Sequence, residues 1–230
     1  MLRSTLSAAA LALALAASGG AHAFEATVER DGTTLTFVDA GDALPRATDE
    51  AIIETFFAAY ARQRADFNPG AASAVTITVD PAYDGIAYVD GAVMTINPGW
   101  LERHPGDTDL VTHEAMHIVQ AYGDGDAPGW LTEGIADWAR DAYGRDNAAA
   151  GWALPETVTP EHRHDSGYRV TAAFLKWAEQ RHAGLVKGLD AALREGRYDD
   201  ATWSALAGED VATLWNRYAA ERSANRIISD

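Results

Sequence analysis

Apolar and polar residues alternate along several short segments in the first half of the chain, whereas apolar residues recur every three or four positions in the second half. Alternation is typical of strands with one buried face. It predicts five strands, at residues 25–30, 33–39, 75–79, 86–89 and 93–96. The dipeptides Asp31-Gly32 and Asp90-Gly91 each separate two of these strands, which indicates two β-hairpins.

Helical periodicity predicts one helix between the strands and five helices after them. We expect the first to begin at a Thr48 cap, with Asp49 and Glu50 in its first turn, and to end at Asn68-Pro69-Gly70. The other five are predicted at residues 108–122, 131–143, 167–182, 184–194 and 209–221. The sequence therefore predicts an α+β fold, a small mixed β-sheet followed by a helical half, with the active-site cleft between the two.

The first 23 residues have the pattern of a signal peptide. Arg3 supplies a positive charge, an apolar run follows from Ala8 to Ala17, and Ala21-His22-Ala23 offers small residues for cleavage. The apolar run is shorter than the roughly 20 residues that a membrane span needs. We therefore expect an exported protein, periplasmic or extracellular, with no membrane span and with Phe24 as its first mature residue.

The rest of the chain contains no internal repeat or long linker, which predicts a single domain over residues 24–230. Its parts are an N-terminal β-hairpin, a sheet part and a helical part, at residues 24–45, 46–106 and 107–230. The sequence does not determine the oligomeric state.

Composition excludes several classes of function. The chain has 34 acidic against 18 basic residues and a net charge of −16, which disfavours binding to nucleic acids and to anionic membrane surfaces. It contains no cysteine, so disulfides, thiolate metal sites and a cysteine nucleophile are excluded. Only His, Asp and Glu side chains are left as metal ligands.

The segment from His113 to His117 reads His-Glu-Ala-Met-His, an HExxH motif. Two histidines four apart on a helix project from one face, so both imidazoles can reach one Zn²⁺, while Glu114 can act on the water that the metal activates. The apolar stripe of this helix leaves both histidines on a narrow polar strip of an otherwise buried element. The alternative is an amphipathic helix whose histidines simply face solvent.

The next helix carries a second polar pair on a largely apolar element. Its apolar stripe leaves Glu133 and Asp137 one turn apart on the opposite face. If this face meets His113 and His117, Glu133 completes three ligands and leaves a fourth position open for water, as in catalytic zinc sites. Asp137 is then placed to accept the free ring N–H of a ligating histidine. The alternative is a solvated acidic face.

Other metal schemes fit this sequence less well. A third histidine six residues after the second would fall at position 123, which is Gly123. His162 and His164 stay open as alternatives to Glu133. The loop 123–129, rich in Gly and Asp, lacks the ligand spacing of a calcium-binding EF-hand. One zinc ion is therefore the expected cofactor.

Five stretches resemble the plant and bacterial basic secretory protein family, a group of zincin-like peptidases. They occur in the order found in that family, at residues 96–100, 113–120, 128–138, 167–175 and 214–218. The resemblance implies a zincin-like fold and a zinc-dependent peptidase, with His113 and His117 as ligands and Glu114 as the catalytic residue. The segment Glu133 to Asp137 also resembles one that gluzincins use, which supports Glu133 as third ligand. The chain differs from the family's name in being acidic, and its N-terminal hairpin lies outside the resemblance.

These inferences predict hydrolysis of a peptide or protein substrate by a metal-activated water, with Glu114 as general base. We favour Tyr168 as the donor that stabilises the oxyanion, the alternative being an aromatic ring that packs at a helix N-terminus. The edge of strand 93–96 is a candidate for pairing with an extended substrate. Two alternative functions are a non-catalytic secreted zincin that binds a peptide or cell-wall ligand, and a metal-dependent esterase or amidase.

Overall fold

The computed structural model describes residues 24–123 and 127–224. The predicted signal peptide, residues 1–23, lies outside the described residues. Within them, five strands and eight helices follow one another along the chain. They are β1 (Phe24–Arg30), β2 (Thr33–Asp39), α1 (Arg46–Phe67), β3 (Ala74–Val79), β4 (Ala87–Asp90), β5 (Val93–Ile96), α2 (Pro98–Arg103), α3 (Leu110–Gln120), α4 (Gly129–Tyr143), α5 (Tyr168–Glu179), α6 (Leu185–Arg194), α7 (Ala201–Ala207) and α8 (Val211–Ala224).

The five strands form one mixed sheet in the order β1-β2-β3-β5-β4. The β1–β2 and β4–β5 pairs are antiparallel hairpins, as predicted, while β3 runs parallel to both β2 and β5. Sheet and helices share a continuous apolar core. This arrangement confirms the α+β class, with a small mixed sheet followed by a helical half. No helix in the described ranges has both the length and the apolar character needed to cross a lipid bilayer.

The first helix begins three residues before the predicted position, with Pro45 rather than Thr48 at its N-cap, so the prediction of a Thr48 cap is wrong. α1 starts at Arg46, and the backbone N–H groups of Thr48 and Asp49 donate to the carbonyl oxygen of Pro45. Proline suits the start of a helix, because its φ is already restricted and the first turn does not need its missing N–H. Pro45 therefore starts the helix without a side-chain cap.

Periodicity misses two short helices. α2 begins after Asn97, whose side-chain oxygen accepts a hydrogen bond from the Gly99 N–H at 2.8 Å, and Pro98 occupies the first helical position. The Asn-Pro pair is a recognisable start signal, but six residues are too few to show a helical period. α7 has only seven residues. The other helices agree with the prediction to within a few residues at each end.

Helix α4 packs closely on α5 because Gly134 has no side chain. A Cβ atom at this position would lie 2.2 Å from Cγ2 of Thr171. Thr171 is itself held in place, since its hydroxyl donates to the His164 carbonyl oxygen and accepts from the Gly167 N–H. The close contact brings the first residue of α5 near Glu133, the residue before Gly134.

We expect Gly134→Ala to lower the free energy of unfolding by about 1–3 kcal/mol, although alanine is the better helix former by about 1 kcal/mol. The added methyl group would overlap with Thr171, which is fully buried. Urea denaturation measures the change. Gly129→Ala is the matched control, because nothing lies within 4 Å of a Cβ atom there. An equal loss of stability in both variants would contradict the packing argument.

Candidate metal centre

Two histidines and one glutamate converge where α3 faces α4. His113 Nε2 lies 3.1 Å from His117 Nε2 and 3.2 Å from Glu133 Oε2, and His117 Nε2 lies 3.6 Å from the same carboxylate oxygen. The three ligand atoms all lie within 4.8 Å of one another. In the described part of the chain, no other three His, Asp or Glu side chains come together in this way. The fold therefore assembles the three side chains that the helical pattern placed on facing surfaces.

The outer ring nitrogens of both histidines are hydrogen-bonded, which fixes their tautomers. His113 Nδ1 donates to Asp137 Oδ1 at 2.7 Å, and His117 Nδ1 donates to Gln120 Oε1 at 2.7 Å. The Gln120 oxygen is the acceptor because the amide nitrogen of the same side chain donates to a backbone carbonyl oxygen at 2.9 Å. When both rings are neutral, with their protons on Nδ1, both Nε2 atoms offer lone pairs beside the carboxylate, which is a donor set that suits zinc.

The charges of the three candidate ligands influence one another. Burial disfavours the charged form of His113, but its hydrogen bonds to Asp137 and Glu133 outweigh this effect and raise the pKa of His113 to about 10. Burial also opposes the charge on Glu133, yet hydrogen bonds from the two histidines hold the pKa of this carboxyl well below its usual range. The carboxylate is therefore ionised and paired with positive charge. The positive charge is the proton on His113 Nε2 that faces the Glu133 carboxylate. A divalent cation bound at the same place would replace this proton and neutralise the carboxylate in its stead.

Glu114 lies in the same cleft and is mostly buried. Its exposure is 8%, and it lines the cleft together with the three candidate ligands. Burial raises the pKa of the Glu114 carboxyl; the two histidines oppose this shift, and the negative charges of Glu133 and Asp137 add to it. A raised pKa favours a general base, because the carboxylate then holds an abstracted proton more readily.

Tyr168 stands at the rim of the cleft as the first residue of α5. Its ring lies 6.4 Å from the His113 ring at an interplanar angle of 9°, and the residue is 58% exposed, which argues against simple aromatic packing. Its backbone φ of +44° is left-handed, an unfavourable conformation for an aromatic residue and one that clusters at functional sites. The negative charge of Glu133, with burial, raises the pKa of the Tyr168 hydroxyl, which therefore keeps its proton.

The other candidate histidines do not join the ligand group. His162 accepts a hydrogen bond from a nearby backbone N–H through Nδ1 at 3.2 Å. The His164 ring packs edge-on against Trp130, with the ring centroids 5.3 Å apart. The carboxylate on α4, rather than either of these imidazoles, is the group that approaches the two histidines of α3.

The prediction that strand 93–96 offers an edge to a substrate is wrong. β5 is paired on both sides, by β3 and by β4. Within the described residues, β4 is the strand of this hairpin that has an unpaired edge, and its residues line a cleft of about 1370 Å³ together with α3, α4 and the start of α5. The hairpin signal identifies which strands pair, but it does not show which of the two meets the next strand of the sheet.

Sequence reasoning also missed the residues that build the end of the cleft next to the start of α3. The Trp100 indole N–H donates to Asp107 at 2.8 Å, and Asp107 forms a buried ion pair with Arg140. The Arg140 guanidinium lies over the Trp152 ring, 4.5 Å from its centroid. All four side chains line the cleft. They come from separate segments, and only the fold brings them together.

Among solved structures, the chain is similar to the M1 zinc metallopeptidase from Deinococcus radiodurans, with a TM-score of 0.49 and 15% identity over 86% of this chain and 51% of that chain. A mutant of that enzyme bound to a Tyr-Ser-Ala substrate gives a TM-score of 0.49 and 16% identity over 88% of this chain and 52% of that one. This chain thus spans about half the length of these structures. No match was found among curated proteins.

A family profile described as a peptidase of plants and bacteria matches residues 13–218, nearly the whole chain. The match includes β1 and β2, the hairpin that lies outside the resemblance drawn from the motifs. It also includes α3, α4 and the start of α5, which carry the candidate site. The resemblance drawn from five short stretches is therefore confirmed, and the chain belongs to this family of peptidases of plants and bacteria.

Proposed function

We propose that the protein is an exported zinc peptidase that hydrolyses peptide bonds with Glu114 as general base. The observation that best supports this proposal is the approach of two imidazole nitrogens and one carboxylate oxygen to within 4.8 Å of one another, in a cleft that also holds a buried glutamate. Three such donors suit a catalytic zinc, which keeps one position free. The proposed ligands are His113, His117 and Glu133, with Asp137 orienting the first of them.

Zinc in this site would supply Lewis acidity towards the scissile carbonyl and lower the pKa of the attacking water. Glu114 accepts the proton of that water and then delivers it to the departing amine nitrogen, so one carboxyl acts first as base and then as acid. The Tyr168 hydroxyl donates a hydrogen bond to the oxyanion of the tetrahedral intermediate. Asp137 and Gln120 keep the two imidazoles in position during these steps.

The free edge of β4 is the proposed surface for a peptide or protein substrate. A main-chain ladder to an edge strand binds an extended peptide largely independently of its sequence. The edge lies on the wall of the same cleft as Glu114 and Tyr168. Export to the periplasm or the medium is proposed from the pattern of the first 23 residues alone.

Incubation with casein tests the proposed activity. We expect the zinc-loaded protein to generate new peptide N-termini, o-phenanthroline to stop this reaction, and added Zn²⁺ to restore it. Identical product formation with and without the chelator would overturn the proposal. Saturable binding of casein without any product would favour a non-catalytic zinc-binding protein.

We expect Tyr168→Phe to lower kcat by about 10²–10³-fold with little change in KM. The substitution removes only the hydroxyl, so the ring can still lie beside His113. Steady-state kinetics with a fluorogenic peptide separate the two constants. Tyr198→Phe is the matched control, because the Tyr198 hydroxyl contacts Trp203 and does not line the cleft. A higher KM with an unchanged kcat would assign Tyr168 to substrate binding instead.

A further inference from the structure

Two exposed apolar side chains are neighbours in the cleft. Ile86 is 46% exposed and Tyr88 is 44% exposed, and both line the cleft that contains Glu114. Exposed apolar side chains that cluster in this way mark a binding surface more often than scattered ones do. Leu206, with 39% exposure, is a comparable side chain on α7, outside this cleft.

Ile86, Tyr88 and Asp90 form one row along the β4 edge, because alternate residues of a strand point to the same face. Ile86 extends this strand geometry, since its carbonyl oxygen accepts a hydrogen bond from the Asn97 N–H at 3.0 Å. All three residues of the row line the cleft. A peptide paired with the edge would place every second side chain beside this row, with opposed Cβ atoms about 4.5–5.5 Å apart.

The row is held in place by the segment that precedes it. The Tyr83 ring packs against the Tyr88 ring with 4.8 Å between centroids. Gly85 permits this packing, because a Cβ atom there would lie 2.2 Å from the Tyr83 hydroxyl oxygen. The Asn97 side-chain amide donates to the Gly85 carbonyl oxygen at 2.7 Å. A surface that is ordered before binding loses little conformational entropy when a ligand binds, and it can discriminate between side chains.

Asp90 adds a negative charge at one end of the row. It is exposed and lines the cleft. Opposite charges on neighbouring strands stabilise a pair, and like charges in the same position destabilise it. The net charge of −16 on the whole chain adds a long-range attraction for basic peptides.

We propose that this row selects the substrate. The favoured ligand is an extended peptide with large apolar side chains at two positions two residues apart and a basic side chain two residues further on, in one chain direction or the other. Ile86 and Tyr88 cover the apolar side chains, and Asp90 pairs with the basic one. This inference rests on the proposed pairing of peptides with the β4 edge, and it adds a sequence preference that a main-chain ladder alone does not have.

Equilibrium binding to the zinc-loaded Glu114→Gln protein tests the preference without turnover. The probes are glycine-flanked fluorescent peptides with the core Leu-Ala-Phe-Ala-Lys, or the same core reversed, and binding is measured by fluorescence anisotropy. For the better of the two orders, we expect Ser in place of Leu and Phe to raise Kd about ten-fold or more. We expect Glu in place of Lys to raise Kd several-fold at low salt, and the difference to shrink at high salt.

Surface variants assign each preference to its side chain. Ile86→Ser and Tyr88→Ser should reduce the preference for apolar peptides, Asp90→Asn should remove the preference for Lys over Glu, and Leu206→Ser should retain both. Equal Kd values for all peptides, no binding of any peptide, or unchanged preferences in the Tyr88 and Asp90 variants would overturn the proposal. Hydrolysis by the unsubstituted protein is measured in parallel: preferences that persist without any hydrolysis would refute the peptidase activity and leave this row as a peptide-binding surface.

Discussion

Glu114→Gln is expected to lower the rate of peptide hydrolysis by about 10²–10⁴-fold and to leave zinc binding intact. Glutamine has nearly the same shape as glutamate, but its amide cannot take up and pass on a proton. Glu114 does not belong to the group of three ligand atoms, so the substitution removes the proton transfer and keeps the metal donors. The rate is measured with a fluorogenic peptide, and the zinc content of the same preparation is measured by elemental analysis.

Glu102→Gln is the matched control for this result. Glu102 is exposed on α2 and does not line the cleft, so we expect the parent rate, zinc content and melting temperature. The Glu114 variant should share the zinc content of this control and differ only in turnover. Near-parent turnover in a zinc-loaded Glu114→Gln protein would exclude this residue as the general base.

The part of the site that could be predicted from sequence is the part carried by two helices. The positions of His113 and His117 on one face, and of Glu133 and Asp137 on another, follow from helical geometry and from the apolar stripe opposite. The apolar stripe of each helix must be buried in the core. The two polar pairs are therefore expected to lie at the boundary between the helices. Their close approach in the structure agrees with this reasoning.

What could not be predicted depends on contacts between distant segments. Gln120 is three residues after His117 and lies on the same helix face, but its second partner, the carbonyl oxygen of Thr132, belongs to the next helix. Without that partner, Gln120 looks like an ordinary polar surface residue. The order of β4 and β5 likewise depends on pairing with β3, so the hairpin pattern alone predicts the unpaired edge on the wrong strand.

Loss of the Glu133 carboxylate is expected to abolish stable zinc binding and, with it, hydrolysis. Glu133→Gln keeps the size of the side chain and removes the negative charge that faces both imidazoles. Asp137→Asn removes only the carboxylate that supports His113, and we expect it to weaken zinc affinity by about 10–100-fold. The loss of zinc affinity in Glu133→Gln should exceed that in Asp137→Asn, since a direct ligand contributes more to affinity than a residue that is hydrogen-bonded to a ligand. Competition with a chromophoric chelator measures both affinities.

His164→Ala is the matched control, because the sequence offers His164 as an alternative ligand but its ring packs against Trp130. We expect this variant to bind one zinc with the parent affinity. A metal site predicts that zinc affinity falls most in Glu133→Gln, less in Asp137→Asn and not at all in His164→Ala. A cluster that only shares protons does not predict this order. In a proton-sharing cluster the two carboxylates act only as hydrogen-bond partners of His113, Glu133 at 3.2 Å and Asp137 at 2.7 Å. Zinc affinity would then be weak in the parent and in every variant, and the graded order would be absent.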